Sequence, residues 1–248
     1  MRGLGTIINL ATVAAGGSVG VFIGDRLPER MRVTIMQGLG LVTIAVAVTG
    51  LEPLFDADAG LRRFVILIVA MIVGGIAGEA LRLEQRLENA GERLKKRFGV
   101  TEGDAHAPSG EHSRFVEGFV IASTVFCVGP LTILGAIQDG LGLSVRLLAI
   151  KSALDGFAAI GFASVYGVGV LASLLTVAVY QGGLTLAASL VEPLMTTEVL
   201  AELGATGSLL ILGIGLRLLE IKQIAILNLL PAVVIGPVLA GIFEAIWL

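Results

Sequence analysis

The chain has 248 residues, of which 55% are hydrophobic and 15% are charged, with a mean hydropathy of +0.93 and a net charge of −3. A soluble domain carries about a quarter charged residues, so this composition excludes an ordinary soluble enzyme and a disordered chain. The single cysteine excludes an intrachain disulfide, and the net charge gives no basic field for nucleic acid. We therefore predict an all-α integral membrane protein whose main partner is the lipid bilayer.

Eight apolar stretches predict about eight transmembrane helices in a single transmembrane domain over residues 1–248, because one crossing takes roughly 20 apolar residues. The stretches are Leu4–Gly24, Val33–Leu51, Phe64–Leu83, Phe115–Ile137, Val145–Val165, Val168–Leu190, Gly207–Leu219 and Ile224–Trp247. The first stretch follows Arg2 as a secretory signal would, but the spans downstream favour a first transmembrane helix.

The lysines and arginines between the spans predict the orientation of the chain. If the N-terminus is extracytoplasmic, twelve cations lie on the cytoplasmic side, four lie outside, and Lys151 lies within a span. The four outside are Arg2, Arg62, Arg63 and Arg146. The positive-inside rule favours this orientation.

The polar segment 84–113 begins with a helical pattern. Apolar residues form one stripe and charges occupy the other faces, which predicts a cytoplasmic amphipathic helix. The stripe consists of Leu83, Leu87, Ala90, Leu94 and Phe98. We expect it to continue the third helix and to lie on the membrane surface with its cations toward anionic headgroups. The alternative is a solvated helix whose stripe packs on its own bundle or on a second subunit.

Residues 101–113 have the composition of a flexible linker. His106 and His112 lie there without the spacing of metal ligands, so we expect no metal site. The chain has no GxxxxGK[ST], HExxH or GxSxG motif and no histidine in any predicted span. These absences predict a protein that is not an enzyme and needs no cofactor.

Glycines at four-residue spacing mark two spans for close helix packing. Gly16, Gly20 and Gly24 form GxxxGxxxG in the first span, and Gly74 and Gly78 have the same spacing in the third. This spacing puts small residues on one helix face and lets another backbone approach. We expect the partner helices to belong to the same chain, and a homo-oligomer seam is the alternative.

Three spans contain residues that interrupt a helix: Val128-Gly129-Pro130 in the fourth, Gly182-Gly183 in the sixth, and Pro231 with Pro237 in the eighth. Proline removes a backbone donor and clashes with the preceding turn, and the freed polar groups survive only beside protein or a wet cavity. We therefore predict discontinuous helices around a polar interior site, as in transporters. A bundle that is merely kinked is the alternative.

Lys151 and Asp155 lie four residues apart in the fifth span. Each ion costs roughly 2.5–3.5 kcal/mol at a helix centre on insertion scales, so neither is expected to face lipid. We interpret the pair as a binding or proton-relay site that lines a solvated chamber. Asp155 would bind a cation or exchange a proton, and Lys151 would be its counter-ion or contact a substrate carboxylate. A structural ion pair is the alternative.

Other polar residues near the helix breaks complete the predicted substrate or ion site. They are Gln181, Ser123, Pro130, Asn228 and Glu117. Hydroxyl and amide side chains at this depth commonly join one helix to another, at about 0.6 kcal/mol each, so the interpretation depends on their coincidence with the breaks.

An ordered set of segments resembles one bacterial family. The segments are GTIINLATVAAGGSVGVFIGDRLPERMR, FVEGFVIASTVFCVGPLTILGAIQDGL, KSALDGFAAIGFAS, VYQG and GSLLILGIGLRLLEIKQIAILNLLPA. Together they resemble the uncharacterised membrane family that includes the YqgA- and YdfK-type proteins. The resemblance implies a multi-pass protein of the bacterial inner (cytoplasmic) membrane, commonly assigned to transport, and it supplies no substrate or site residues.

These observations predict a membrane transport protein, either a secondary transporter or an ion-conducting protein, for a monovalent ion or small polar solute. Coupling to H⁺ or Na⁺ would pass through Asp155. The alternative is a non-transporting scaffold, sensor or assembly partner that acts through the amphipathic segment Leu83–Phe98.

Overall fold

The computed structural model describes residues 2–24, 26–97, 114–127 and 130–247, and within these ranges the secondary structure is helical. The helices are α1 Leu4–Gly24, α2 Glu29–Gly50, α3 Gly60–Leu81, α4 Leu83–Arg97, α5 Arg114–Cys127, α6 Pro130–Leu141, α7 Arg146–Tyr166, α8 Gly169–Leu186, α9 Ala188–Val191, α10 Thr197–Leu218, α11 Ile226–Leu229 and α12 Ala232–Trp247. Short 3₁₀ turns at Glu52–Phe55 and Glu192–Leu194 precede α3 and α10.

Seven segments of the described ranges are long and apolar enough to cross a membrane. They are α1, α2, α3, α7, α8, α10 and the segment Ile226–Ile246, which contains α11 and most of α12. The pair α5 and α6, bent by 61°, makes an eighth if it is one span. The predicted class, an all-helical membrane protein, is confirmed.

The bent pair α5 and α6 joins opposite ends of the bundle. Arg114, at the start of α5, donates a hydrogen bond to the carbonyl of Val165 in the last turn of α7. Asp139, near the end of α6, accepts a hydrogen bond from the backbone amide of Gly5 in the first turn of α1. Because α1 and α7 run parallel, these two contacts lie at opposite ends of both helices, as a single crossing requires.

The seventh predicted span began too late. The stretch Gly207–Leu219 was expected, but α10 begins at Thr197. The Thr196 hydroxyl caps the helix by accepting a hydrogen bond from the amide of Val199. The two glutamates that lowered the hydropathy here, Glu198 and Glu202, lie inside the helix. The other predicted boundaries lie within about one helical turn of those observed.

The predicted helix breaks divide into three outcomes. The fourth span is bent where α6 begins at Pro130, while Val128 and Gly129 lie outside the described residues. The eighth span is interrupted between α11 and α12, at Leu230 and Pro231, but Pro237 lies within α12. The expected break at Gly182-Gly183 is wrong: α8 passes through both residues, because glycine keeps its backbone N–H and therefore the helical hydrogen bonds.

The packing of α1 against α7 forms the centre of the bundle. The glycine face of α1 meets α7 residue by residue: Gly16 lies against Gly156, Gly20 against Ile160 and Gly24 against Ser164. A Cβ built on any of these three α1 glycines would overlap the α7 backbone. The two helices therefore touch through their main chains.

Two antiparallel pairs pack around this centre. Gly40 of α2 meets Leu219 at the end of α10 and Gly50 meets Ser208 in the middle of α10, while α3 meets the segment α11–α12. In the second pair Gly74 lies against Ala232 and Gly78 against Asn228. The stacked glycines of both predicted spans therefore face helices of the same chain.

The amphipathic helix α4 is separated from α3 by Arg82, which adopts the left-handed conformation (φ 50°). Its apolar stripe does not face lipid. Leu83, Leu87 and Leu94 pack against a cluster on α5 and α11. That cluster consists of Phe115, Val116, Phe119, Val120 and Leu227. The stripe thus packs on its own bundle, as the alternative interpretation expected, and Phe98–Ser113 lies outside the described residues.

Candidate functional site

Lys151 and Asp155 form an ion pair near the middle of α7. The ammonium group of Lys151 donates to Oδ2 of Asp155, one helical turn further along the same face. The two residues are only 5% and 7% exposed. Two opposite charges at this spacing neutralise each other within one helix, which is what allows both to be buried.

Polar side chains from α1 and α8 extend this ion pair into a network. Asn9 of α1 lies beside the carboxylate of Asp155 and donates to Oε1 of Gln181 on α8 over 2.9 Å. Gln181 donates in turn to the hydroxyl of Thr6 over 3.2 Å. The hydroxyls of Thr6 and Thr185 share a hydrogen bond of 2.9 Å. Gln181 belonged to the predicted site, whereas Asn9, Thr6 and Thr185 did not.

Asp139 closes this network at the end of the bundle where α1 begins. It is fully buried, and its two carboxylate oxygens accept the backbone amides of Gly5 and Thr6 at 3.1 Å each. A carboxylate at the first turn of a helix satisfies free amides and complements the helix dipole. We name the seven residues the α1–α7–α8 network: Thr6, Asn9, Asp139, Lys151, Asp155, Gln181 and Thr185.

Lys151 and Asp155 are both buried, and neither lines the two clefts described next. The open groove between α1 and α8 and the small cleft beside Arg217 are both lined by other residues. Gly156 and the glycine face of α1 bring the two backbones together beside the pair, so the space that water would occupy is filled by main chain. The pair lies in a packed seam.

The remaining predicted site residues lie elsewhere. Ser123 joins α5 to α8 by donating to Thr176 over 3.0 Å. Glu117 lies in the first turn of α5, near Tyr166, and Pro130 begins α6. Of the predicted set, the structure brings together Lys151, Asp155 and Gln181.

Asn228 belongs to a polar junction at the far end of α3. Its side-chain oxygen accepts the backbone amide of Glu84 at 2.9 Å, and its nitrogen donates to Glu79 at 2.7 Å. The Glu84 carboxylate pairs with Arg217 at 3.0 Å and accepts the amide of Leu227. Burial raises the pKa of the Glu84 carboxyl, and the nearby Arg217 guanidinium only partly offsets this effect. This junction fixes α4 to α10 and α11.

A second buried acid lies on α10 and was not predicted. Glu202 is 0% exposed, and among the described residues neither of its carboxylate oxygens has a hydrogen-bond partner. The hydroxyl of Thr206, one turn further along, is likewise buried without a partner in the described ranges. Because the seventh span was expected to begin at Gly207, Glu202 was assigned to an outer loop, and that assignment is wrong. The i, i+4 series Glu198, Glu202, Thr206 was the available signal.

Glu198 lies one turn before Glu202 and accepts hydrogen bonds from two arginines. Arg63 donates to both of its carboxylate oxygens, at 3.0 and 3.3 Å, and Arg62 donates to one of them at 2.5 Å. Arg63 also donates to the carbonyl of Pro53 at 2.9 Å. Arg63 is 8% exposed although it belongs to the predicted outer loop. We name these three residues, Arg62, Arg63 and Glu198, the arginine–glutamate cluster.

In the described ranges no group of three or more His, Cys, Asp or Glu side chains is arranged to hold a metal ion. Among the described residues, the polar groups buried in the bundle are the Lys151–Asp155 pair, Arg63, amides, hydroxyls and two further acids, Asp139 and Glu202. Their chemistry is that of proton exchange and of binding small ions or charged solutes.

Comparison with known proteins identifies the family. The family model described as "Protein of unknown function (DUF554)" matches residues 4–241. The chain belongs to this family. Two relatives are each 29% identical to the chain over 242 residues: "Uncharacterized membrane protein YdfK" of Bacillus subtilis (strain 168), covering 97% of both chains, and "Uncharacterized protein YqgA" of Escherichia coli (strain K12), covering 98% of both. No solved structure matches the chain. The predicted resemblance to this family is confirmed.

Proposed function

We propose that this DUF554 protein is a membrane transport protein for an ion or a small polar solute, with the Lys151–Asp155 pair as its binding or proton-relay site. One observation carries the proposal: two opposite charges are buried on a membrane helix and extended by hydrogen-bonding groups from two neighbouring helices. Ionisable groups within a membrane bundle commonly mark ion and proton paths. The multi-pass architecture is compatible with this role.

Lys151 and Asp155 are counter-ions of each other, so a transported species that binds one of them must replace the other. A cation that binds Asp155 must displace the ammonium of Lys151, and a carboxylate that binds Lys151 must displace Asp155. A zwitterion replaces both partners at once, and a proton on Asp155 releases Lys151. Because breaking a buried ion pair without replacement costs about 3–5 kcal/mol, only a species that restores the lost interaction opens the site at low cost.

Access to the pair requires one helix to move, and α8 is the element most free to do so. α1 and α7 touch through their backbones, whereas α1 and α8 are joined by side-chain hydrogen bonds and border an open apolar groove of about 660 Å³ that Leu94 of α4 also lines. Gly182 and Gly183 of α8 have no atoms within 4 Å of a built Cβ. We propose that the structure is an occluded conformation and that movement of α8 opens the network at Gln181.

The test uses the full chain in proteoliposomes. Fluxes of H⁺ and Na⁺ are measured with entrapped dyes, and uptake is measured for radiolabelled serine, alanine and succinate. The variants are Asp155→Asn, the double variant Lys151→Met with Asp155→Leu, and Asp58→Asn as a control at an exposed acid. We expect flux of at least one species in wild type and in the control, and none in the other two.

Two results would contradict the proposal. Retained flux in the folded double variant would make the pair structural. Absence of flux of every probe in wild type, together with no change in its thermal unfolding in their presence, would oppose transport of these classes.

The alternative, a non-transporting scaffold or sensor that acts through α4, is less well supported. The apolar stripe of α4 is already covered by α5 and α11, and Glu84 ties the helix to Arg217. A partner would have only the charged face of α4 to bind.

A further inference from the structure

We propose that Glu202 is a proton-binding site, separate from the Lys151–Asp155 pair, and that the arginine–glutamate cluster controls its access to the solution outside. The proposal does not depend on transport. It rests on the burial of this carboxyl group, on its lack of hydrogen-bond partners and on its position one turn inward from Glu198.

The environment of Glu202 favours a neutral carboxyl group. Moving a carboxylate out of water costs many kcal/mol unless ion pairing and hydrogen bonds replace its hydration, and a buried group without them takes up a proton instead. Neither oxygen of Glu202 has such a partner within the described ranges. One proton removes the charge and gives the group a donor.

Thr206 provides a second, independent observation. Its hydroxyl is fully buried and has no partner in the described ranges, and it lies on the same face of α10 as Glu202. A protonated carboxyl and a hydroxyl each donate and accept one hydrogen bond, so the two groups are chemically complementary.

The charged groups nearest Glu202 do not neutralise it. Arg62 and Arg63 of α3 and Glu198 of α10 are the groups that act on it electrostatically. Each side-chain nitrogen of Arg63 is already bonded, to Glu198 or to the carbonyl of Pro53, and Arg62 is bonded to Glu198. Glu198 therefore offsets one of the two positive charges, and its own charge opposes a second carboxylate one turn away.

Among the elements packed on α10, α12, α2 and the 3₁₀ turn before α3 bring no compensating charge, and the ionisable residue of α6, Asp139, accepts the amides of Gly5 and Thr6. On α12 the ionisable residue is Glu244, which accepts a hydrogen bond from Thr196. On α2 the ionisable residues lie in the first turn, near the end of α10 that is remote from Glu202. In the 3₁₀ turn before α3, Glu52 is exposed. These elements offer Glu202 no cation, so its charge is removed by binding a proton.

The arginine–glutamate cluster lies between Glu202 and the loop before α3. Arg62 and Glu198 keep side-chain exposures of 35% and 23%, while Arg63 is nearly buried at 9%. The exposed part of the cluster therefore contacts solvent, and its nearly buried member, Arg63, acts electrostatically on Glu202. Separation of Arg63 from Glu198 would open a path by which water delivers a proton to the carboxylate or removes it.

The experiment is infrared spectroscopy of the full chain in lipid nanodiscs. It follows the C=O stretch of protonated carboxyl groups at neutral pH, with ¹³C-labelled glutamate to separate glutamate from aspartate. Wild type is compared with Glu202→Gln, with Glu192→Gln as a control at an exposed glutamate, and with Asp155→Asn. We expect a glutamic-acid band in wild type, in the control and in Asp155→Asn, and its loss in Glu202→Gln.

A spectrum that is the same in wild type and in Glu202→Gln would overturn the proposal. Loss of the band on adding Na⁺ at constant pH would also overturn it, since the site would then take a metal cation. Retention of the band without measurable flux would contradict the proposed transport function alone. Thr206→Val, which keeps the charged groups intact, is expected to shift the band by removing a buried hydroxyl that lies one turn from Glu202 on the same helix face.

The access element is tested by hydrogen–deuterium exchange of the same band. In Glu198→Gln the arginines lose their charged partner, and we expect exchange several-fold faster than in wild type. An unchanged exchange rate would show that the cluster does not control access to Glu202.

Discussion

Gly16 of α1 lies against the carbonyl group of Gly156 of α7, one residue from Asp155. This contact leaves no room between the two backbones, and Asn9, two turns before Gly16, lies beside the Asp155 carboxylate. The glycine face of α1 thus does two things: it packs the centre of the bundle, and it keeps the ion pair away from water. A change in that face is expected to affect both.

The first prediction concerns this face. Gly20→Val places a branched side chain against the carbonyl of Ile160 and the side chain of Ala163. Overpacking a filled contact costs about 1–3 kcal/mol, so we expect the free energy of unfolding to fall by that amount. The measurement is titration of the purified protein with SDS, followed by circular dichroism.

The control is Gly38→Ala on α2, where a built Cβ has no atoms within 4 Å. Alanine is favoured over glycine in a helix by about 0.8–1.0 kcal/mol, so this variant is expected to be as stable as wild type or more stable. Equal losses in the two variants would contradict the assigned role of the α1 face.

The second prediction concerns the ion pair itself. Lys151→Met and Asp155→Leu each leave one buried charge without its partner, and each is expected to lose about 3–5 kcal/mol of stability. The double variant removes both charges and is expected to recover most of this loss. A double-mutant cycle measured by SDS titration gives the coupling, and additive losses would show that the residues do not interact.

The third prediction concerns pH and Glu84. Its pKa is raised in the folded protein by burial, so the folded state holds this proton at pH values where the unfolded state has lost it. Stability therefore falls as the pH rises from the ordinary value of 4.5 toward the folded pKa. Glu84→Gln is expected to flatten this slope, measured as the midpoint of thermal unfolding against pH.

Glu92→Gln removes the same charge from the same helix and is the matched control. It is expected to keep the wild-type slope. A slope that stays unchanged in Glu84→Gln would assign the pH dependence to another group.

The fourth prediction concerns orientation. In a Cys127→Ala background, which removes the single cysteine, new cysteines are introduced by Asp58→Cys or Lys96→Cys. We expect a membrane-impermeant maleimide to label the first variant in intact cells and the second only after the membrane is permeabilised. The reverse pattern would place the N-terminus in the cytoplasm and contradict the cation count.

The sequence predicted the number of apolar segments and the small-residue faces because both depend on local composition. It also predicted Lys151 and Asp155, since charges in an apolar stretch are conspicuous. It could not predict that α1 packs along α7, because that pairing depends on contacts between residues far apart in the chain. For the same reason it did not place Asp139 in the site, whereas the fold buries this residue on the first turn of α1.

Glu202 was missed for a different physical reason. Each glutamate lowers the mean hydropathy of a segment. Glu198 and Glu202 therefore excluded the first turns of α10 from the predicted span, which began only at Gly207. In the fold Glu198 is satisfied by arginines that lie far away in sequence, and Glu202 is covered by neighbouring helices. Where distant partners compensate a charge, local composition gives the wrong helix boundary.

The parallel pairing of α1 with α7 has a consequence for how the protein is made. The ribosome completes α1 long before α7 is synthesised. The insertion of α1 into the bilayer therefore depends on its own apolar side chains, and its glycine face stays uncovered until α7 is inserted. Nascent chains that stop short of Arg146 never acquire the missing partner. Such fragments are expected to be recognised by membrane quality-control proteases, whereas chains extended past Tyr166 should escape them.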